Sequence, residues 1–116
     1  MRVLLIDDEK ELVSTLCERL ALRGIQAHWA ADGQEGLDKA ARTNYQWAVI
    51  DLKMPGLDGR RVIELIKQKQ PDIKIILVSG HSAAGELDAC RLAGADCFLV
   101  KPFELEELLA KLRGED

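Results

Sequence analysis

Short apolar runs alternate along the chain with segments that have the period of an α-helix. Four of the runs are almost continuously apolar, which is typical of parallel strands that are covered on both faces. The run at residues 25–29 is mixed and predicts an edge strand. The five predicted strands are residues 3–6, 25–29, 47–50, 73–78 and 97–100.

The segments between these runs predict helices. Apolar residues recur at helical spacing in three of them, and the Ala-rich segments 33–42 and 83–93 give a weaker signal. Asp32 and Asp58 are placed as N-caps, and Gly24 and Gly94 as the residues just beyond helix C-termini. The three stripes are Leu12, Val13, Leu16 and Leu20, then Val62, Leu65 and Ile66, and last Leu105, Leu108, Leu109 and Leu112.

Five strand–helix units with short connections predict an α/β fold in a single domain, residues 1–116. Because crossovers between parallel strands are right-handed, the expected architecture is an open, doubly wound, five-stranded parallel sheet with helices on both faces. Functional residues in such sheets gather beyond the carboxyl ends of the strands. The residues that follow each strand are therefore the first candidates for chemistry.

Composition narrows the classes of function. The 116 residues are 47% apolar, which suits one ordinary domain with a proper core. Sixteen basic and 20 acidic residues give a net charge of −4, which argues against direct binding of nucleic acid or of an anionic membrane. The apolar N-terminal run is too short for a signal peptide, so a cytoplasmic location is expected. Cys17, Cys90 and Cys97 lack metal-ligand spacing and are interpreted as small apolar residues.

Polar residues follow four of the predicted strands. Asp7 and Asp8 follow the first, Asp51 the third, Ser79 the fourth and Lys101 the fifth. Most of them have an ordinary explanation when taken alone: helix capping by Asp8, a turn at Asp7 or at Ser79, and a surface position for the lysine. Asp51 is harder to explain in this way. Together they form a selective set, because all these strand ends open onto the same edge of the sheet.

This set of side chains favours phosphoryl chemistry. Clustered carboxylates repel one another, so a pKa should rise unless a cation is bound, and an all-oxygen set suits Mg²⁺. A metal-neutralised Asp51 carboxylate is a reasonable nucleophile toward phosphorus. Lys101 and the Ser79 hydroxyl can then stabilise the oxygens of the transferred group. The sequence thus predicts phosphorylation of Asp51.

The chain also resembles a known family, the receiver domain of two-component response regulators, over nearly its whole length. The resemblance rests on Asp7-Asp8, residues 51–59, Ser79-Gly80, residues 94–96 and residues 101–103. It implies a flavodoxin-like sheet of strand order 2-1-3-4-5. It also implies phosphotransfer to Asp51 from a histidine kinase or a phosphotransfer protein, with no separate substrate beyond the domain's own phosphorylation and dephosphorylation.

The resemblance further implies a metal site. Mg²⁺, with Mn²⁺ as a substitute, would be held by Asp8 and Asp51, by Asp7 mainly through water, and by the backbone carbonyl of Lys53. A cis peptide bond between Lys101 and Pro102 would aim the lysine.

A conformational switch is implied as well. Ser79 would move toward the new phosphoryl group, and the ring of Phe98 would turn inward; many relatives carry Thr and Tyr at these places. Lys53 and His81, each two residues beyond a site residue, are expected to tune the phosphoryl lifetime. The fourth helix, fifth strand and fifth helix would form the surface for an output domain, an effector protein or a homodimer. The chain is expected to be either a stand-alone receiver or one excised from a longer regulator.

Two alternatives of different kinds stay open at this point. A receiver-like interaction module would signal without phosphorylation, although such proteins usually lose an acid or the lysine. A haloacid-dehalogenase-type phosphatase would need a second aspartate where this chain has Lys53. Nucleotide-binding signatures of the GxxxxGK[ST] or GxGxxG kind do not occur.

Overall fold

A computed structural model of the protein describes residues 1–52, 58–80 and 84–114. Strands and helices alternate along the chain, and every predicted element is present, with bounds shifted by one or two residues at several ends. The elements are β1 (Arg2–Ile6), α1 (Lys10–Ala21), β2 (Gln26–Ala30), α2 (Gly33–Arg42), β3 (Trp47–Asp51), α3 (Gly59–Lys69), β4 (Lys74–Ser79), α4 (Ala84–Ala93), β5 (Cys97–Val100) and α5 (Leu105–Leu112).

The strands form one parallel sheet of order β2-β1-β3-β4-β5, which confirms the predicted topology. The mixed strand β2 lies at an edge, where its middle residues are half-buried. Asp51 and Ser79 are the last residues of their strands and pair with Val78 and Val100, rather than following the strands as predicted. The backbone that carries these two side chains is therefore part of the sheet.

Helices cover both faces of the sheet, so the doubly wound prediction is confirmed. On one face, α1 and α5 bury side chains such as Val13, Leu20 and Leu108 against the sheet. On the other face, α2, α3 and α4 contribute residues such as Leu37 and Ile63. The α1 stripe is narrower than its spacing predicted, because Leu12 is 39% exposed.

Local signals at the helix ends mostly act as predicted. Asp32 accepts a hydrogen bond from the Glu35 amide at 2.8 Å, and Asp58 accepts one from the Arg60 amide at 3.1 Å. The N-cap of α1 is Glu9 and not Asp8, so helix capping does not account for the Asp8 carboxylate.

The two glycines predicted to follow helices have positive φ angles. Gly24 and Gly94 follow α1 and α4 with φ angles of +78° and +125°, a region that favours glycine. Among the helices of the described residues, none combines the length and the apolar character that crossing a membrane requires.

Candidate functional site

The carboxyl ends of the central strands bring the predicted site residues together. Asp51 ends β3 with only 5% of its surface exposed, and Asp7, just after the neighbouring β1, is half-buried. Asp8 is exposed beside them. Oxygens from these three carboxylates all lie within 4.8 Å of one another. The sequence prediction of a joint carboxylate cluster is therefore confirmed.

Backbone hydrogen bonds hold the residues around this cluster in place. The Asp7 amide donates to the Ala30 carbonyl at 3.0 Å, and the Lys101 amide donates to the Ser79 carbonyl at 2.8 Å. Both bonds continue the pairing of parallel strands beyond their assigned ends. The side chains of Asp7 and Lys101 thus project from backbone that is nearly as fixed as the sheet itself.

Lys101 reaches back across the cluster. Its Nζ lies 3.1 Å from Asp7 Oδ2, 3.1 Å from Asp51 Oδ2 and 2.9 Å from Glu9 Oε1. An ammonium group has three N–H donors, so these three carboxylates can take all of them. The Lys101–Pro102 peptide bond is cis, as the family resemblance implied.

Glu9 is a site residue that sequence reasoning missed. It directly follows Asp7 and Asp8, and an acid at that position was the available signal. A loop side chain can point toward the crevice or away from it, however, and the sequence pattern does not distinguish the two. Its contact with Lys101 joins residues 92 positions apart.

The electrostatics follow from burial and from these contacts. Burial raises the pKa of Asp7; hydrogen bonds from the Glu9 amide and from Lys101 oppose the rise, and repulsion by Asp51 adds to it. The expected rise within the cluster therefore occurs, but burial and not mutual repulsion is its main cause. Burial alone would lower the pKa of Lys101, yet its hydrogen bonds to Glu9, Asp7 and Asp51 outweigh that effect and raise it. Lys101 is a cation at neutral pH.

The donor set fits a hard divalent cation. Mg²⁺ takes oxygen ligands at roughly 2.0–2.1 Å in octahedral geometry, so its ligand oxygens lie about 3 to 4 Å apart. The 4.8 Å spread of the Asp7, Asp8 and Asp51 oxygens is close to that range, and modest side-chain rotation would close the difference. Lys101 contacts two of these carboxylates, so a cation and the lysine would share them.

The structure positions the two predicted switch residues without testing their roles. Ser79 is buried at the end of β4, in the strand next to Asp51. Phe98, on β5, is half-buried against the α2–α3–α4 face, and the guanidinium carbon of Arg91 lies 5.1 Å from the centre of its ring. Lys53 and His81 lie outside the described residues, so the roles predicted for them stay predictions.

Similarities to known proteins extend over almost the whole chain. The family model of the response regulator receiver domain matches residues 3–113. The transcriptional regulatory protein PrrA of Mycobacterium leprae is 37% identical over 112 residues, covering 97% of this chain and 48% of that protein. The chain spans about half the length of the curated relatives it matches.

Solved structures are similar in the same way. A CheY-like response regulator receiver domain protein from Methanospirillum hungatei JF-1 superposes with a TM-score of 0.93 at 28% identity, covering 97% of this chain and 90% of that one. A response regulator protein from Burkholderia pseudomallei superposes with a TM-score of 0.88 at 28% identity, covering 94% of this chain and 64% of that one. The latter crystal structure contains a phosphorylated aspartic acid, a calcium ion and citrate.

Proposed function

This chain belongs to the response regulator receiver domain family, and from that premise we propose that Asp51 accepts a phosphoryl group in a two-component signalling system. One observation carries the proposal. The Asp51 carboxylate is 5% exposed at a strand end, lies 3.1 Å from the Lys101 ammonium and shares a cluster with the Asp7 and Asp8 carboxylates. Among these three acids, Asp51 alone is buried at the centre of the sheet edge.

The chemistry is an in-line displacement at phosphorus. An Asp51 oxygen forms the new O–P bond while the P–N bond of a phosphohistidine breaks, and the leaving imidazole keeps the electron pair and takes up a proton. Lys101 moves its hydrogen bond from Asp51 Oδ2 to a phosphoryl oxygen, and the Ser79 hydroxyl donates to another. A Mg²⁺ or Mn²⁺ ion bound by Asp7, Asp8 and Asp51 would supply further positive charge to the phosphoryl oxygens.

Two kinds of partner complete the proposal. A histidine kinase or phosphotransfer protein supplies the phosphoryl group in the cytoplasm, and an output domain or effector reads it through α4, β5 and α5. Ser79 and Phe98 link the site to that surface. Leu92 on α4 is 90% exposed and Val100 on β5 is 56% exposed, so this face offers apolar contacts for a partner or for a second copy.

Chemical phosphorylation tests the acceptor directly. The protein is incubated with acetyl phosphate and Mg²⁺, and its intact mass is recorded beside Asp51→Asn and Asp58→Asn. Asp58→Asn is the matched control, because asparagine also caps helices well and α3 should keep its start. We expect the wild type and Asp58→Asn each to gain one phosphoryl group when Mg²⁺ is present. Asp51→Asn should gain none, and neither should the wild type when Mg²⁺ is left out. The proposal is wrong if the wild type gains no phosphoryl group and also fails to bind a beryllofluoride analogue of the phosphoryl group. That result would favour an interaction module that works without phosphorylation.

A further inference from the structure

Glu9 makes the shortest of the three carboxylate contacts with Lys101, and the proposed phosphotransfer does not use it. The Glu9 Oε1 to Lys101 Nζ distance is 2.9 Å, against 3.1 Å for Asp7 and for Asp51. The Glu9 side chain is 60% exposed, so the contact is not forced by burial.

The backbone of Glu9 is fixed at both of its polar groups. Its amide donates to Asp7 Oδ1 at 2.9 Å, and its carbonyl accepts from the Val13 amide at 3.0 Å in the first turn of α1. The side chain therefore leaves a defined point on the rim of the site. Only side-chain torsions have to be ordered for the carboxylate to meet Lys101, which keeps the entropic cost of the contact low.

A divalent cation affects the three contacts of Lys101 unequally. Among the described residues, the cluster of carboxylates that could hold a metal ion consists of Asp7, Asp8 and Asp51. It includes two of the partners of Lys101 but not Glu9. Each carboxylate drawn onto a cation has fewer lone pairs and less charge for the ammonium, and the cation itself repels it. Of the three described contacts of Lys101, only the one with Glu9 does not use a carboxylate of that cluster.

We propose that Glu9 is a positioning residue that holds the Lys101 ammonium beside Asp51 while a divalent cation occupies the carboxylate cluster. The inference deepens the proposed function and rests on it for its role in phosphotransfer. Without Glu9, metal binding and correct placement of the lysine would oppose each other. With it, both cations are present when the phosphodonor arrives.

Proton exchange of the lysine ammonium measures this contact without any phosphorylation. The ammonium signal of Lys101 is observed by ¹H–¹⁵N NMR, assigned by its loss in Lys101→Arg, and its proton exchange rate is compared with and without Mg²⁺. For one largely exposed ion pair we expect exchange about two- to fivefold faster in Mg²⁺-loaded Glu9→Ala than in the wild type. Glu9→Gln should lie between them, because its amide oxygen still accepts a hydrogen bond. Without Mg²⁺ the difference should shrink, since Asp7 and Asp51 then hold the ammonium.

Glu11→Gln is the matched control, because it removes one negative charge from the first turn of the same helix. If Mg²⁺-loaded Glu9→Ala exchanges no faster than Glu11→Gln, or is accelerated equally with and without Mg²⁺, Glu9 does not hold the lysine and the inference is overturned.

Phosphorylation by acetyl phosphate at saturating Mg²⁺ gives a second readout. We expect the rate of Glu9→Ala to fall about two- to fivefold, with Glu9→Gln in between. An unchanged or faster rate would mean that Glu9 only repels the donor or competes with it for Lys101, against the inference. A wild type that gains no phosphoryl group would instead refute the proposed function, and the exchange measurement alone would decide on Glu9.

Discussion

Replacing Lys101 with methionine tests whether the lysine and a metal ion compete for the same carboxylates. Methionine keeps a long, unbranched apolar chain and removes only the ammonium. That ammonium lies 3.1 Å from a carboxylate oxygen of Asp7 and 3.1 Å from one of Asp51, and a cation bound by these two carboxylates would have to weaken both contacts. We therefore expect Lys101→Met to bind Mg²⁺ more tightly than the wild type does.

The size of the effect follows from the exposure of the pairs. The side chain of Lys101 is 22% exposed, and those of Asp7 and Asp51 are 13% and 6% exposed. Because the lysine still reaches solvent, each pair is assigned about 1 kcal/mol, the upper end for exposed ion pairs. Two pairs give about 2 kcal/mol, which corresponds to a Kd about 30-fold lower at 25 °C.

Isothermal titration calorimetry with MgCl₂ measures the change. Lys10→Met is the control, because Lys10 is an exposed residue at the start of α1 and its loss changes the net charge equally. Unchanged or weaker Mg²⁺ binding by Lys101→Met would refute the competition. Equal tightening in Lys10→Met would show that the general field of the protein, and not the two local contacts, sets the affinity.

Three further predictions concern groups near the site and in the core. Burial raises the pKa of Asp7 above 3.8, so the folded state loses stability as the pH rises through the pKa of the folded protein. Asp7→Asn should therefore raise the free energy of unfolding at pH 7, measured by urea denaturation without Mg²⁺. A gain in stability that persists below pH 3.8 would contradict this. A Cβ on Gly36 would overlap Cδ1 of the buried Ile6, so Gly36→Ala should lower the free energy of unfolding by about 1–3 kcal/mol in urea denaturation. Ile6→Val should recover part of that cost, and strict additivity would count against the clash. Burial raises the pKa of the Cys17 thiol from 9.0 to about 11, so the reactive thiolate is roughly 100-fold rarer at pH 8 than in the unfolded chain. Alkylation by iodoacetamide, followed by mass spectrometry, should be slower by the same factor. Equal rates in the folded and unfolded protein would contradict this prediction.

Most of the fold was predictable because its signals are local. Continuous apolar runs and stripes at helical spacing depend on near neighbours in sequence, and caps such as Asp32 and Asp58 act within one turn. The exact strand ends were not predictable in this way. Ser79 belongs to the sheet because it pairs with Val100, and the residues near Ser79 in sequence do not predict this pairing.

The candidate site was predictable to the extent that strand order brings carboxyl ends together. Asp7, Asp8, Asp51 and Lys101 follow from that rule, and the structure confirms that they meet. Strand order itself came from the family resemblance, because right-handed crossovers alone allow more than one arrangement. The proposed roles of Lys53 and His81 rest on sequence position and stay predictions.

The sequence by itself determined the elements and most of the faces that they bury, because the periods of strands and helices decide which side chains leave water. It also placed Asp7, Asp8, Asp51 and Lys101, although not Glu9, at the same edge of the sheet. Only the tertiary structure decided which of those charges touch. Glu9 and Lys101 are 92 positions apart, and nothing local in the sequence shows that the two side chains meet. Their 2.9 Å contact exists because β1 and β5 end at the same edge of one sheet, and distance in space, not in sequence, sets the energy between charges.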